Sequence, residues 1–280
     1  MTVALPTGAP PVGLRIAPTG KAVLTRAWLP ICLVALWHLF ASALDSLYIP
    51  TPTVVATTFW EEWSPFTSAG RDNLAANLVP TLRLILSGWA CSALIGVPVG
   101  LAVGRVTWVA ALLNPIIRFG MNVPPPILLP LIIVLFGFGT SGKLTLIIVG
   151  TMWPILMNTI LAAQSIDPVI IKTARTLDVS PFTFLTRILL PSATPAVFSG
   201  LRVALSISVM LAVIAEMYTA ESGVGHAIVS AQVLFEIPEM WAGIVMLAVI
   251  GVGLNGLFVL VERRVLFWHE GTRLIDAEPK

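Results

Sequence analysis

The run Gly137-Phe138-Gly139-Thr140-Ser141-Gly142-Lys143-Leu144 comes close to a phosphate-binding loop. Such a loop wraps phosphates in backbone N–H groups, reaches them with a lysine, and holds Mg²⁺ through the Ser or Thr that follows the lysine. Leu144 has no oxygen to offer a metal, and the run joins two apolar segments instead of a strand and a helix. It therefore reads as a glycine-rich turn, and no nucleotide site is expected in this chain. Catalytic patterns are equally missing. His38, His226 and His269 are scattered, and neither HExxH nor GxSxG occurs. Cys32 and Cys91 both sit in apolar segments with no CxxC pair, so they read as packing residues, not as a disulfide or a metal site. A membrane-embedded enzyme is disfavoured.

What remains is charge in unusual places. Arg202 and Glu216 lie inside an apolar run, where ionisable residues face a bundle interior or an aqueous cavity. They are the candidates for a pathway or gate, with a local hydrogen bond for Arg202 and snorkelling for Glu216 as the competing reading. About 21 Å of helix separates them, so they cannot pair within one span. The densest polar stretch is Asp167 to Pro195, DPVIIKTARTLDVSPFTFLTRILLPSATP. Ile170, Ile171, Ala174 and Leu177 can share one helical face there, with Lys172, Arg175 and Asp178 around the rest. Val179-Ser180-Pro181 then supplies a break and a new start, with Ser180 as N-cap and Pro181 in the first turn. A short amphipathic helical hairpin of this kind suits contact with a soluble partner.

The elements that must hold these residues are membrane spans. The chain is 57% hydrophobic and 11% charged, with mean hydropathy +0.94, against about 25% charged in soluble domains. Length and breakers place six spans at about 28–47, 81–104, 109–136, 143–163, 194–217 and 241–267. The third carries Pro115, Pro124, Pro125, Pro126 and Pro130, so it should kink and face protein or a pathway. Pro125 and Pro126 join Arg202 and Glu216 as gate candidates. Residues 1–27 read as a leading segment before an uncleaved first span, and 268–280 as a tail.

Counting Lys and Arg sets the orientation. With the N-terminus inside, Arg15, Lys21, Arg26, Arg105, Lys172, Arg175, Arg187, Arg263, Arg264, Arg273 and Lys280 are cytoplasmic. Only Arg71 and Lys143 fall outside, while Arg83, Arg118 and Arg202 lie within or at the edges of spans. Both termini and the 164–193 loop are then expected in the cytoplasm. The outer segments carry Asp45, Glu61, Glu62, Asp72, Glu221, Glu236 and Glu239, an acidic face. A net charge of +2 and the lack of basic clusters interleaved with aromatics give no sign of nucleic-acid binding. Gly88, Ala90, Ser92, Ala93, Gly96 and Gly100 recur in the second span, as general membrane-helix composition or as a dimer seam.

The 164–193 loop resembles the cytoplasmic motif of the permease subunits of ATP-binding cassette (ABC) importers, which has the form Glu-Ala-Ala, three residues, Gly, nine residues, Ile-x-Leu-Pro. Here Lys172-Thr173-Ala174 is followed at the same spacing by Asp178 and by Ile188-Leu189-Leu190-Pro191. Lys172, Thr173 and Asp178 depart from the pattern. Asp tolerates the left-handed turn that the family glycine would supply. The resemblance extends from about Ile49 to Trp268. It includes Ile49-Pro50-Thr51-Pro52, Gly96-Val97-Pro98-Val99-Gly100, Pro124-Pro125-Pro126, Phe136-Gly137-Phe138-Gly139, Gly200-Leu201-Arg202, Ala215-Glu216 and Ser222-Gly223-Val224-Gly225, and looks closest to the nitrate, sulfonate and taurine branch.

That resemblance implies an all-α polytopic fold of the type I importer class, with coupling helices in the loop. Lys172, Thr173, Ala174, Arg175, Leu177, Asp178, Ile188 and Pro191 would be the residues that meet a separate ATPase. It also implies a second permease subunit, expected as a homodimer, an ATPase dimer carrying ATP and Mg²⁺, and an extracytoplasmic substrate-binding protein, all at a bacterial inner membrane. The solute class it implies is a small anion of nitrate, sulfonate or taurine type, or an aromatic acid. The rival reading is an ATP-independent secondary transporter or channel, which would often show inverted repeats, and no such repeat is evident.

Overall fold

The computed structural model describes residues 20–44, 46–219 and 221–267. Expectations for residues 1–19 and the 268–280 tail lie outside the described residues. The chain divides into two compact units, Met1–Val54 and Val55–Lys280. In the first, helix α1 covers Gly20–Leu44 and contains Pro30. Its described apolar part, Trp28–Leu44, is shorter than the helices that satisfy a membrane-crossing length.

Every regular element among the described residues of the second unit is a helix. After α2 (Pro52–Trp63), which starts at the boundary between the units, come α3 (Ser68–Asn73), α4 (Val79–Arg105), α5 (Thr107–Met121), α6 (Leu129–Phe136) and α7 (Thr140–Gln164). The order closes with α8 (Pro168–Thr176), α9 (Pro181–Phe184), α10 (Leu190–Thr219), α11 (Val224–Val233) and α12 (Ile237–Val265). Among the described residues, four continuous helical stretches are long and apolar enough to cross a membrane: Ser68–Arg105, Thr140–Gln164, Pro181–Tyr218 and Ile237–Val265. A fifth crossing exists only if α5 and Pro125–Phe136 count as one, and these are bent by 91°. The all-α polytopic fold expected from the sequence is present, and this count is made over the described residues alone. The cause of the bend is the one anticipated. Three consecutive prolines, Pro124 to Pro126, cannot donate to a helix ladder, and the chain turns through a 3₁₀ segment, Pro125–Leu128.

Two spans are much longer than the prolines around them indicated. The second and fifth were expected at 81–104 and 194–217, yet both helices start more than ten residues earlier. Each contains a widened π-turn, Leu74–Leu78 and Leu185–Leu189. Each π-turn lies just before a proline, Pro80 and Pro191. A proline clashes with the carbonyl four residues earlier. Inserting one wide turn moves that carbonyl aside, so the helix continues where a break was read.

α4 and α7 form the spine of the unit. A Cβ on Gly88 would overlap Ile147, one on Gly96 would press on Ile155, one on Gly100 on Thr159, and one on Gly104 on Ala163. Both rows advance by four residues, so the two helices run parallel and in register. Their backbones approach closely because one side is nearly bare. Between Gly88 and Gly96, Ser92 Oγ meets Thr151 Oγ1 at 2.6 Å. The small-residue stripe is therefore a seam inside the chain, not one between chains. α10 returns antiparallel along α7, with Gly200 against Asn158 and Gly150 against Leu211.

Candidate coupling loop and the opposite end of the bundle

Between α7 and α10 the chain folds into the two short helices that the loop sequence required. Asp167 caps α8, its Oδ1 accepting the Val169 N–H at 2.7 Å, and Pro168 fills the first turn where no donor is needed. α8 ends in a Schellman turn. The Asp178 N–H donates to Arg175 O at 3.1 Å and the Val179 N–H to Ala174 O at 3.0 Å. Asp178 sits at φ +50°, the left-handed conformation expected of it. Ser180 then caps α9, its Oγ accepting the Thr183 N–H at 3.2 Å, with Pro181 at the helix start as anticipated.

The apolar face of α8 is rotated from the one expected. Ala174 is buried, and Ile171 packs against the cluster of Leu101, Ala163, Ile166 and Leu189. Ile170 and Leu177, assigned to the same face, are exposed, as are Val169 and Phe182. About 100° separates successive residues on a helix. An inward line through Ile171 and Ala174 thus leaves Ile170 and Leu177 on its rim, and the loop presents an apolar edge. Lys172, Thr173, Arg175, Asp178 and Pro191 are also exposed, while Ile188 is half-buried.

Arg105 was not singled out as a loop residue. At the end of α4, its guanidinium lies 5.5 Å from the centroid of the Phe184 ring, and Nη1 donates to Ala163 O at 3.4 Å. It ties α9 to the ends of α4 and α7 through a cation–π contact. Its place beside the loop was legible from the span boundary, but its aromatic partner was not.

At the other end of the bundle Glu216 is 2% exposed. Its two carboxylate oxygens accept from Thr81 Oγ1 at 2.8 and 2.9 Å, and Oε2 also accepts from the Gly225 N–H at 3.0 Å. The neighbouring amides are held in turn: Gly223 N–H donates to Asn77 Oδ1 at 3.0 Å and Val224 N–H to Thr81 Oγ1 at 2.9 Å. Gly223 has φ +116°, and a Cβ there would overlap the Glu216 carboxylate. Glu216 thus fastens the 221–225 turn and the start of α11 to α4. Its burial is not that of a snorkelling side chain. Thr81 and Asn77 were missed because nothing in the sequence links them to the Ser222–Gly225 run.

Arg202 lies on α10, where its Nε donates to Asn255 Oδ1 at 3.3 Å and Nη1 stands 3.8 Å from Glu262 Oε2. Its role in this conformation is to tether α10 to α12. Pro125 packs into the notch left by Gly150, next to Leu211. It and Pro126 are half-buried. The structure does not bring Arg202, Glu216 and the two prolines to one place.

Residues 95–267 match the family described as the binding-protein-dependent transport system inner membrane component. The chain belongs to that family. Among curated relatives, the aliphatic sulfonates transport permease SsuC of Escherichia coli is 30% identical over 274 residues, covering 94% of this chain and 96% of the relative. The taurine transport system permease TauC of the same organism is 30% identical, covering 89% and 90%. The nitrate import permease NrtB of Synechococcus elongatus is 29% identical, covering 81% and 84%. The expected membership of the importer permeases, in their nitrate, sulfonate and taurine branch, is borne out. A solved structure of the MetNI methionine ABC transporter in inward-facing conformations is similar with TM-score 0.57 at 21% identity, covering 68% of this chain and 93% of that one. This likeness speaks for the fold: an all-α, polytopic membrane component.

Proposed function

We propose that this permease component carries a small oxyanion-bearing solute, of sulfonate, taurine or nitrate type, through an ABC importer, and that α8 and α9 receive the work of a separate ATPase. Relatives named for sulfonates, taurine and nitrate transport support the solute class. The observation that carries the coupling reading is the exposed edge of Ile170, Leu177 and Phe182 on a bend fixed by two caps and a Schellman turn. Apolar side chains in water at a rigid corner suit insertion into a groove of a soluble partner. Behind that edge, Ile171 and Arg105 join the corner to α4, α7 and α10, so a push on the loop reaches the long helices.

In the assembly proposed, two copies of this chain form the pathway, with the loop and both termini in the cytoplasm. ATP and Mg²⁺ stay on the ATPase pair, and an outer binding protein delivers the solute. Glu62, Glu221, Glu236 and Glu239 line a polar cavity at the end opposite the loop and would meet a basic rim on that protein.

The test is co-expression with the ATPase that co-purifies with this chain. Leu177→Glu and Phe182→Glu place charge on exposed positions, so insertion and melting temperature should hold. ATPase association should weaken at least about tenfold, the equivalent of about 1.4 kcal/mol. Unchanged association and unchanged transport in both variants would reject the coupling role.

A further inference from the structure

Arg83 and Lys143 remain without a role, and both line one cavity. Its volume is about 240 Å³, and its wall also includes Thr140, Ser222 and the buried Glu216. Arg83 stands near the start of α4 and Lys143 in the first turn of α7, and those parallel helices lead away from it to the 164–193 loop. The cavity therefore opens at the end of the bundle far from the loop.

Two cations on one wall favour an anion. Arg83 lies exposed on the apolar Ser68–Arg105 helix, where an ionisable group is costly unless it meets a counter-charge or an aqueous cavity. Among the described residues neither Arg83 nor Lys143 forms an ion pair; the pair found lies elsewhere, between Arg202 and Glu262. Glu216 cannot serve both. It already stands as the nearby negative charge for Lys143, and its oxygens accept from Thr81 and the Gly225 N–H, which leaves Arg83 without a carboxylate partner among the described residues. Counting formal charges on this wall, two cations against one carboxylate leave the empty cavity with one positive charge in excess. Thr140 adds a hydroxyl beside Lys143. Ser87 adds no donor, because its hydroxyl proton is committed to Arg83 O at 2.6 Å.

From this geometry we infer that Arg83 and Lys143 form a binding site for the oxyanion group of a small solute, on its route between the outer face and the bundle interior. The guanidinium fork matches two oxygens of a sulfonate, nitrate or carboxylate at once, and the lysine supplies a point charge from the facing helix. The volume lies below the roughly 300–1,000 Å³ of drug-sized pockets. It admits a short sulfonate or nitrate, whereas a bulky aromatic acid would have to leave its ring outside. Glu216 reduces the net attraction, so the anion is held loosely enough to move on. The inference rests on the importer reading for its direction of transit, but the binding itself does not need the ATPase.

A lipid phosphate carries the same oxyanion chemistry, and the experiment separates the two sources. The full-length chain with its co-purified partner subunits is placed in phosphatidylcholine nanodiscs, without ATP. It is melted with millimolar methanesulfonate or with the neutral analogue dimethyl sulfone, and in parallel in discs containing phosphatidylglycerol. Methanesulfonate alone should raise the wild-type melting temperature, saturably. Arg83→Ala and Lys143→Ala should each raise the half-saturating concentration by about tenfold or more, as loss of a charge-assisted contact implies. Arg83→Lys should restore part of the response. Melting of each variant without anion reports whether it has folded. Should a variant melt early, Arg83→Lys and Lys143→Arg replace the alanine variants and are read for a shifted affinity order between nitrate and methanesulfonate. Equal protection by dimethyl sulfone, or an unaltered methanesulfonate response in all variants, would overturn the site. Protection by phosphatidylglycerol with no response to methanesulfonate in phosphatidylcholine would assign the cavity to lipid and overturn the solute reading. A chain that binds no ATPase but passes this test would refute the proposed coupling alone.

Discussion

Ser92 Oγ on α4 and Thr151 Oγ1 on α7 stand 2.6 Å apart, at 0% exposure each, in the middle of a seam made otherwise of glycine and apolar contacts. Each hydroxyl also has a backbone carbonyl of its own helix within reach, Gly88 O for Ser92 at 2.9 Å and Ile147 O for Thr151 at 2.7 Å. The pair therefore closes without an orphaned proton. Eight residues further along the same two rows, Thr159 Oγ1 is buried opposite Gly100 with no hydrogen-bond partner. On α7 the seam thus sets a satisfied hydroxyl, Thr151, against an unsatisfied one, Thr159, at equivalent positions.

Opposite responses to loss of the hydroxyl follow from that contrast. Thr159→Val removes an unpaired buried oxygen while keeping its shape, and should raise the melting temperature of the purified complex, by up to about 1–3 kcal/mol of stabilisation. Thr151→Val removes one half of a bonded pair and should cost about 0.6 kcal/mol, the usual size of such a contact between membrane helices. Ser92→Leu should cost far more, because the bulk must enter a contact where Gly88 and Gly96 leave no room. Equal melting shifts for Thr159→Val and Thr151→Val would show that the two hydroxyls are equivalent after all.

How much of this was legible in the sequence depends on the range of the interaction involved. The bend at Asp178 and the caps at Ser180 and Pro181 were readable, because they are settled within four or five residues of chain. The glycine stripe on α4 was visible, but its partner row on α7 was not, since register between two helices is fixed only when they pack. The early starts of the second and fifth spans have a local cause: a proline, here Pro80 or Pro191, breaks a regular α-helix, and nothing in the composition announces that a π-turn will absorb it. The 100°-per-residue pattern gives α8 one apolar face through Ile170, Ile171, Ala174 and Leu177. The bundle covers only Ile171 and Ala174 of it, and Ile170 and Leu177 stay exposed, because which part of a face is covered is settled only by packing. Arg83 and Lys143 were counted only as charges, as their convergence is entirely tertiary.

The Glu216 clasp should behave as one unit. Glu216→Ala removes the acceptor for the Gly225 N–H and a partner of the Thr81 hydroxyl, at a cost of about 1–3 kcal/mol for the donors left buried. Gly223→Ala is expected to be at least as damaging, since φ +116° is a glycine conformation and the new methyl would overlap the carboxylate. Because the overlap disappears when Glu216 is also alanine, the double variant should lose less stability than the two single losses added together. Thermal melting of the four proteins in nanodiscs decides it. Strict additivity would mean that the 221–225 turn is not held by this carboxylate.

The bend at Asp178 can be tested through its backbone independently of its charge. Asp178→Gly frees the φ +50° position from side-chain strain and should leave ATPase stimulation at or above the wild-type level. Asp178→Asn keeps a residue tolerant of the left-handed conformation and removes the carboxylate, so it should also remain active. Asp178→Val introduces a β-branched side chain at the same angle, at a cost of about 1–2 kcal/mol. That is enough to open the Schellman turn, whose bonds to Arg175 O and Ala174 O close the bend between α8 and Ser180. The valine variant should insert normally, show faster proteolysis between Thr176 and Ser180, and lose solute-stimulated ATP hydrolysis in the assembled complex. Activity of the valine variant equal to that of the glycine variant would show that the loop transmits force without this bend. Loss of activity in the asparagine variant, with glycine also inactive, would instead assign the position to a charge contact with the ATPase.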